Sequence, residues 1–235
     1  TVYIPDNNRG TICISSQVGC TLACSFCHTG TMKFLRNLRM AEILGQVIQV
    51  KNELNDWNKN KERKVTNIVF MGMGEPLYNY ENVIKTLNIL TDEKGLAISK
   101  RKITLSTSGV VPKIKVFKDD SDVNLAVSLH AAFDQIRDEL VPINKKWPIS
   151  VLLDSLKEYS YARKNKRITF EYIMLKDIND SMNDAKELIK LISPFRAKIN
   201  LIPFNPWPGS KYQVSSKEKI ENFKNYILEK GKLVA

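Results

Sequence analysis

Three cysteines within eight residues, Cys20, Cys24 and Cys27, constrain this chain more than any other feature. They share one short stretch, Gly19–His28, in the spacing C-x3-C-x2-C. Thiols that close together can wrap a single inorganic centre, because thiolate is the soft ligand that zinc and iron–sulfur clusters select. A disulfide needs two partners and would leave one thiol over. Three ligands on a four-iron cubane leave one iron open, much as a catalytic zinc site keeps an open position. An open iron can take a small molecule through oxygen and nitrogen. The competing reading is a structural zinc site completed by Cys13 or His28.

A length of 235 residues suits one large domain, and an α/β barrel of this size can be a single unit spanning residues 1–235. No apolar run approaches the ~20 residues that cross a bilayer, and the first ten residues read as polar. Four cysteines, three of them in a metal-type spacing, fit a reducing cytoplasm better than a disulfide framework. The net charge of +11 comes from 36 basic against 25 acidic side chains. The excess is spread over Lys59–Lys64, Lys100–Lys102, Lys113–Lys118 and Arg163–Arg167. Such a balance is compatible with a polyanionic partner such as RNA, and equally with a solvated lysine-rich surface.

Along the chain, β-rich runs alternate with helical periodicity. Strands are expected at Thr11–Ser15, Asn67–Met71, Lys102–Ser106, Asn124–His130, Arg167–Met174 and Lys198–Pro203. Helices are expected at Met40–Asn55, around Val83–Leu90, Val111–Phe117, Asp134–Leu140 and Ile149–Lys164, then after Ser181 and after a capping-box pattern at Ser215–Glu218. The run Asp56–Lys64 reads as a surface loop. Alternating βα units imply a parallel sheet with helices outside it. Strands covered on both faces should be apolar on both. Here Leu125, Val127 and Leu129 oppose Ala126, Ser128 and His130, while Ile168, Phe170 and Tyr172 oppose Thr169 and Glu171. A small and polar second face points to a concave interior that holds a ligand. The expected fold is therefore α/β, a partial TIM-like (β/α)6 barrel, with two strands fewer than the closed form.

The candidate site groups all fall at strand C-terminal ends, where parallel α/β folds place their chemistry. Gly72-Met-Gly74-Glu75-Pro76 follows the second strand; glycine permits close approach to the backbone, and a carboxylate can bind an ammonium group. It is no phosphate loop, having neither G-x-G-x-x-G nor G-K-[ST]. Ser106 offers a hydroxyl for ribose or carboxylate oxygens, or for the adjacent turn. Ser128, Leu129 and His130 end the fourth strand, with two inward polar side chains. Asn205, between two prolines after the last strand, offers the donors and acceptor that an adenine edge requires.

Read in order, R-G-T-x-C-x-S-S-Q-V-G-C, G-M-G-E-P, T-L-S-T-S-G, S-L-H-A, V-P-I-N-K-K and I-N-L-I-P-x-N-P span almost the whole chain. This set resembles the radical S-adenosylmethionine (radical SAM) enzymes and, among them, the bacterial rRNA and tRNA adenine-C2 methyltransferases. The resemblance implies a [4Fe-4S] cluster on Cys20, Cys24 and Cys27. It implies S-adenosylmethionine bound by Gly74, Glu75, Ser106, Ser128, Leu129, His130 and Asn205. It also implies a catalytic role for Cys13, a residue that would otherwise pass for a small buried strand position.

The chemistry so implied begins with one S-adenosylmethionine methylating a second cysteine. Another is cleaved to a 5′-deoxyadenosyl radical, which draws hydrogen from that S-methyl group. The carbon radical adds to adenine C2, and the thiol matching Cys13 resolves the protein–RNA adduct by forming a disulfide. Implied partners are 23S rRNA, tRNA and a flavodoxin-type electron donor, for a cytoplasmic monomer. The target base would have to leave its stack to be reached. No cysteine follows Cys27 in these 235 residues. The family's methyl-bearing cysteine, its N-terminal RNA-binding accessory domain and a glutamate just upstream of Thr1 are likewise not among them. The chain is accordingly expected to be a catalytic core that binds cluster and S-adenosylmethionine without methylating RNA unaided. Two alternatives stay open: the related adenine-C8 rRNA methyltransferase, and a non-catalytic RNA-binding protein stabilised by a metal.

Overall fold

Short β-branched runs punctuated by amphipathic helices leave each strand only one way to meet its parallel neighbour, through a helical crossover. The computed structural model describes residues 1–7, 9–58, 62–164 and 166–234, so residues 59–61 of the basic run at Lys59–Lys64, and residue 165, lie outside it. Two compact units make up the chain.

The first unit comprises residues 1–21, 33–106 and 119–124. Its strands are β1 (Val2–Asp6), β2 (Arg9–Cys13), β5 (Asn67–Phe70) and β6 (Ile103–Thr107). β2, β5 and β6 pair in parallel, with Ile12 beside Ile68 and Ile68 beside Ile103. β1 pairs antiparallel with β2, Val2 opposite Cys13. This hairpin replaces the polar segment expected at the chain's start. Its Val2-Tyr3-Ile4 run is too short and too exposed to show as a buried strand. A two-residue pair, β3 (Gln17–Val18) with β4 (Arg36–Asn37), also escaped the sequence reading.

Helices α1 (Met40–Glu53) and α2 (Tyr80–Thr91) complete the unit, burying Ile43 and Val47, and Val83, Leu87 and Leu90. In the run Asp56–Lys64 the described residues are exposed, as its polarity suggests, with Asp56 the exception. Asp56 is buried and accepts from Lys51 Nζ (2.7 Å), Lys64 N (2.7 Å) and Val65 N (3.1 Å). Burial works to raise its carboxyl, but these three donors outweigh it and hold the group below its usual range.

The second unit comprises residues 22–32, 107–118 and 125–235. Strands β7 (Asn124–Ser128), β8 (Ile168–Met174), β9 (Ala197–Pro203) and β10 (Leu233–Val234) are parallel, in that order. Their register sets Ser128 beside Glu171 and Glu171 beside Asn200, one polar row on a single face. The opposite face, with Leu125, Val127, Phe170 and Tyr172, is buried under helices.

Those helices are α3 (Val111–Asp120), α4 (Asp134–Leu140), α5 (Ile149–Ala162), α6 (Met182–Ile192) and α7 (Lys217–Glu229). Ser181 caps α6 by accepting from Asp184 N, while the Asp184 carboxylate accepts from Ser181 N. The α7 cap is Ser216, accepting from Lys219 N, rather than the expected Ser215, which is buried. No helix among the described residues is long and apolar enough to cross a membrane.

Candidate active site

In the first unit, the strand end Ser15–Gln17 and the loop after β5 are stitched into one scaffold. Ser16 N and Gln17 N both donate to Met73 O, and Ser15 Oγ accepts from Met73 N. Gln17 Oε1 accepts from Glu75 N at 3.0 Å, while Gln17 Nε2 donates to Asn37 Oδ1 at 2.8 Å. Gly74 has φ +96, and a β-carbon there would lie 2.4 Å from Gln17 Cβ. Only glycine fits. Glu75 is buried, and its Oε1 accepts from Leu77 N at 3.0 Å. Asn79 Nδ2 donates to Ser16 O and Leu38 O, fixing the same loop from behind. Cys13 and Cys20, partly exposed and in no disulfide, belong to this unit, and Ser106 is buried at the end of β6. Gln17 and Asn79 were missed in the sequence, where each reads as an ordinary polar residue.

In the second unit, the segment carrying Cys24 and Cys27 is built largely from its own turns. Cys27 N donates to Cys24 O and Gly30 N to Cys27 O. Ser25 then ties the segment to the end of α4, its N–H donating to Leu140 O (3.1 Å) and its hydroxyl to Glu139 O (2.8 Å). The same hydroxyl lies 2.7 Å from Tyr212 Oη. Trp207 Nε1 donates to Phe26 O (3.0 Å), and its ring stacks on His28 at 5.1 Å. The proline-rich loop that carries Asn205 thus also holds the cysteine segment. Asn205 itself is exposed, and its amide makes no hydrogen bond among the described residues.

His130 sits at φ +61 with its ring buried, edge-on to Phe26 at 4.7 Å. Ile173 N donates to His130 Nδ1, which assigns the ring proton to Nε2. Burial, reinforced by the charge of Arg137, pushes its imidazolium down to about 3, so the ring is neutral. Asn179 Nδ2 holds the His130 carbonyl in place. Ser128 Oγ donates to Glu171 Oε2 at 3.0 Å, and Leu129 is fully buried. Ser128, Leu129 and His130 therefore offer one half-open hydroxyl and backbone, with the imidazole turned inward.

Behind this segment lies Arg137, which the sequence reading did not single out. It is wholly buried and donates to Ser108 O, Ser128 O, Leu129 O and Asn144 Oδ1. The signal was its place in the helical stripe Phe133, Arg137, Leu140, where a charge interrupts an apolar face. Asn144, from the V-P-I-N-K-K motif, completes the arrangement by donating to Asp134 and Asp138.

Among the described residues, no three His, Cys, Asp or Glu side chains converge on a point that one metal ion could occupy. A single zinc demands such convergence within about 2.3 Å of each sulfur. A cubane takes each thiolate at a separate iron corner and does not demand it. Cys24 and Cys27, half-buried and in no disulfide, on a backbone pinned at Ser25 and Phe26, are thiols of the kind that a cluster takes.

Comparison with known proteins gives this geometry its family. The model of the radical SAM superfamily matches residues 14–192. The chain belongs to that superfamily. Radical SAM enzymes use a [4Fe-4S] cluster and S-adenosylmethionine, and both belong to this protein as a member. Over 98% of the chain it is 56% identical to the dual-specificity RNA methyltransferase RlmN of Rhodopseudomonas palustris strain BisB18, and 55% identical to that of Nitrobacter winogradskyi. The chain spans 59% of the length of each.

A radical SAM methyltransferase structure from Sphaerobacter thermophilus superposes with a TM-score of 0.93 at 39% identity, over 99% of this chain and 67% of that one. Streptococcus suis SuiB bound to S-adenosylmethionine shares the fold alone, with a TM-score of 0.67 at 15% identity over 97% of this chain and 51% of that one. The fold class is thus the partial (β/α)6 barrel of the radical SAM enzymes, as the two-faced strands indicated.

Proposed function

We propose that the protein is a radical SAM RNA methyltransferase that places a methyl group on adenine C2 of 23S rRNA and tRNA. The observation that carries this reading is the identity to RlmN relatives over nearly the whole chain. Residues 1–235 act in it as one catalytic core. When bound, the cluster and S-adenosylmethionine supply a carbon-centred radical able to attack an electron-poor ring carbon that polar methyl transfer does not reach.

In this reading Cys20, Cys24 and Cys27 hold the cluster, on a segment already fixed by Ser25, Trp207 and Tyr212. Gly74 lets a ligand approach the backbone, and the buried Glu75 receives an ammonium group. Ser106 and Ser128 offer hydroxyls, and the unengaged amide of Asn205 reads an adenine edge. Leu129 and the neutral His130 contribute backbone and shape rather than a proton. Cys13, a partly exposed thiol on β2, would attack the sulfur of the cysteine–RNA adduct, forming a disulfide with that second cysteine, which these residues do not include, as the bond from its sulfur to the transferred carbon breaks and the carbon stays on the base. A flavodoxin-type donor supplies electrons to a cytoplasmic monomer, and the +11 charge supports RNA binding.

The test is mass spectrometry of nucleosides from 23S rRNA and tRNA of cells with and without the gene. Loss of 2-methyladenosine from both RNAs supports the reading. Loss of 8-methyladenosine favours the C8 enzyme instead. Unchanged RNA, together with a purified protein holding zinc and no sulfide, favours the non-catalytic RNA-binding protein.

A further inference from the structure

Among the described residues, Arg137 is the one arginine or lysine that is buried, and it is wholly so. Its hydrogen bonds are to neutral acceptors: Nε to Leu129 O (3.0 Å), Nη1 to Asn144 Oδ1 (2.7 Å), and Nη2 to Ser108 O (2.8 Å) and Ser128 O (3.1 Å). Four good bonds orient the guanidinium but leave its charge without an anion in direct contact. A buried charge in that condition is costly unless a negative group lies close by. Two carboxylates approach only through an intermediary, since Asn144 Nδ2 donates to Asp134 Oδ1 (2.8 Å) and Asp138 Oδ1 (2.7 Å).

The other neighbour able to carry negative charge, once its thiols hold a cluster, is the cysteine segment. Ser25, which directly follows Cys24, is bonded through both N–H and hydroxyl to Leu140 and Glu139, in the turn of α4 after Arg137. Of the groups that favour the charged guanidinium, Cys24 contributes most, ahead of Asp134 and Asp138. Burial draws Arg137 down to about 10, still a full positive charge at neutral pH.

We propose that Arg137 is a positioning residue that serves as the fixed, buried counter-charge of the cluster and so sets the potential at which the cluster accepts its electron. This rests on the reading of Cys20, Cys24 and Cys27 as the cluster's ligands. Reduction transfers one electron from a low-potential one-electron donor and adds one negative charge to a group that its thiolates already make anionic. A nearby immobile cation stabilises the more negative form and raises the potential, charge and local surroundings being what tune such clusters. Because the guanidinium is shielded from solvent, salt does not screen this effect as it screens the surface lysines.

The test is an EPR-monitored redox titration of the full-length protein, reconstituted anaerobically with iron and sulfide, as wild type, Arg137→Gln, Arg137→Lys and Asp138→Asn. The potential is expected to fall in Arg137→Gln, which loses the charge, and to stay nearer wild type in Arg137→Lys, which keeps it. It is expected to rise in Asp138→Asn, which preserves the contact to Asn144 but removes a compensating anion. Thermal unfolding of the same samples reads the lost clamp, which both Arg137 variants share. Equal potentials in Arg137→Gln and Arg137→Lys, or an unmoved potential in Asp138→Asn, would overturn the proposal. Should Arg137→Gln fail to fold, Asp138→Asn decides alone. A wild type without iron and sulfide refutes the ligand assignment beneath it. A normal cluster with unmoved potentials refutes only the role of Arg137.

Discussion

Acidification from pH 7 to pH 5 should destabilise this protein chiefly through His130. Its ring is buried among Phe26, Ile173 and the backbone of β8, and its Nδ1 is already an acceptor, so protonation has no place to go. In the unfolded chain the ring regains its ordinary value of 6.5, against about 3 when folded. The folded value is the lower one, so the unfolded state binds more protons and stability falls as pH falls. The contribution is complete above 6.5 and is lost progressively toward 3.

Between pH 7 and pH 5 the loss is about 2 kcal/mol by proton linkage. For a chain of this size that lowers the unfolding midpoint by about 4–8 °C. The window isolates the histidine, since Glu42, Asp56 and Asp177 are pushed down from 4.5, 3.8 and 3.8 and act at lower pH. Urea unfolding of the reduced, cluster-free protein at both pH values measures the loss. His130→Asn is the control, because asparagine tolerates the left-handed backbone and can accept from Ile173 N. That variant should be less stable at pH 7 but flat from 7 to 5. A wild type equally stable at both pH values, or a variant with the same slope, would refute the reasoning.

Three further substitutions test the first unit. Gly74→Ala should cost about 2–4 kcal/mol, from a left-handed φ and a β-carbon driven into Gln17. Calorimetry on cluster-loaded protein should then show at least about tenfold weaker S-adenosylmethionine binding, roughly 1.4 kcal/mol. Gly45→Ala in α1, where a β-carbon meets nothing within 4 Å, should instead stabilise by about 0.5–1 kcal/mol. Asp56→Ala strands the Lys51 ammonium, the Lys64 amide and the buried Val65 amide, and should cost about 3 kcal/mol in urea unfolding. An effect below about 1 kcal/mol would show that water replaces the carboxylate.

Much of this protein is written locally. Helical and strand periods repeat over a few residues, so six of the parallel strands and the seven α-helices among the described residues were legible to within a few positions. The cysteine spacing, the G-M-G-E-P turn and the two-faced strands were equally plain, because each depends on residues adjacent in sequence. The edges were not. β1 is a short, exposed hairpin arm, and β10 is two residues whose strand character comes only from pairing with β9.

What surrounds the candidate site was decided by tertiary structure. Ser25 meets Glu139 across 114 positions and Tyr212 across 187, and Trp207 meets Phe26 across 181. No local pattern encodes such partners, since they meet only when the crossovers return the chain to the same strand ends. Burial is decided the same way. The sequence shows an arginine in α4 and a histidine after β7. Packing alone strips both of water, which leaves Arg137 charged in need of an anion and His130 neutral.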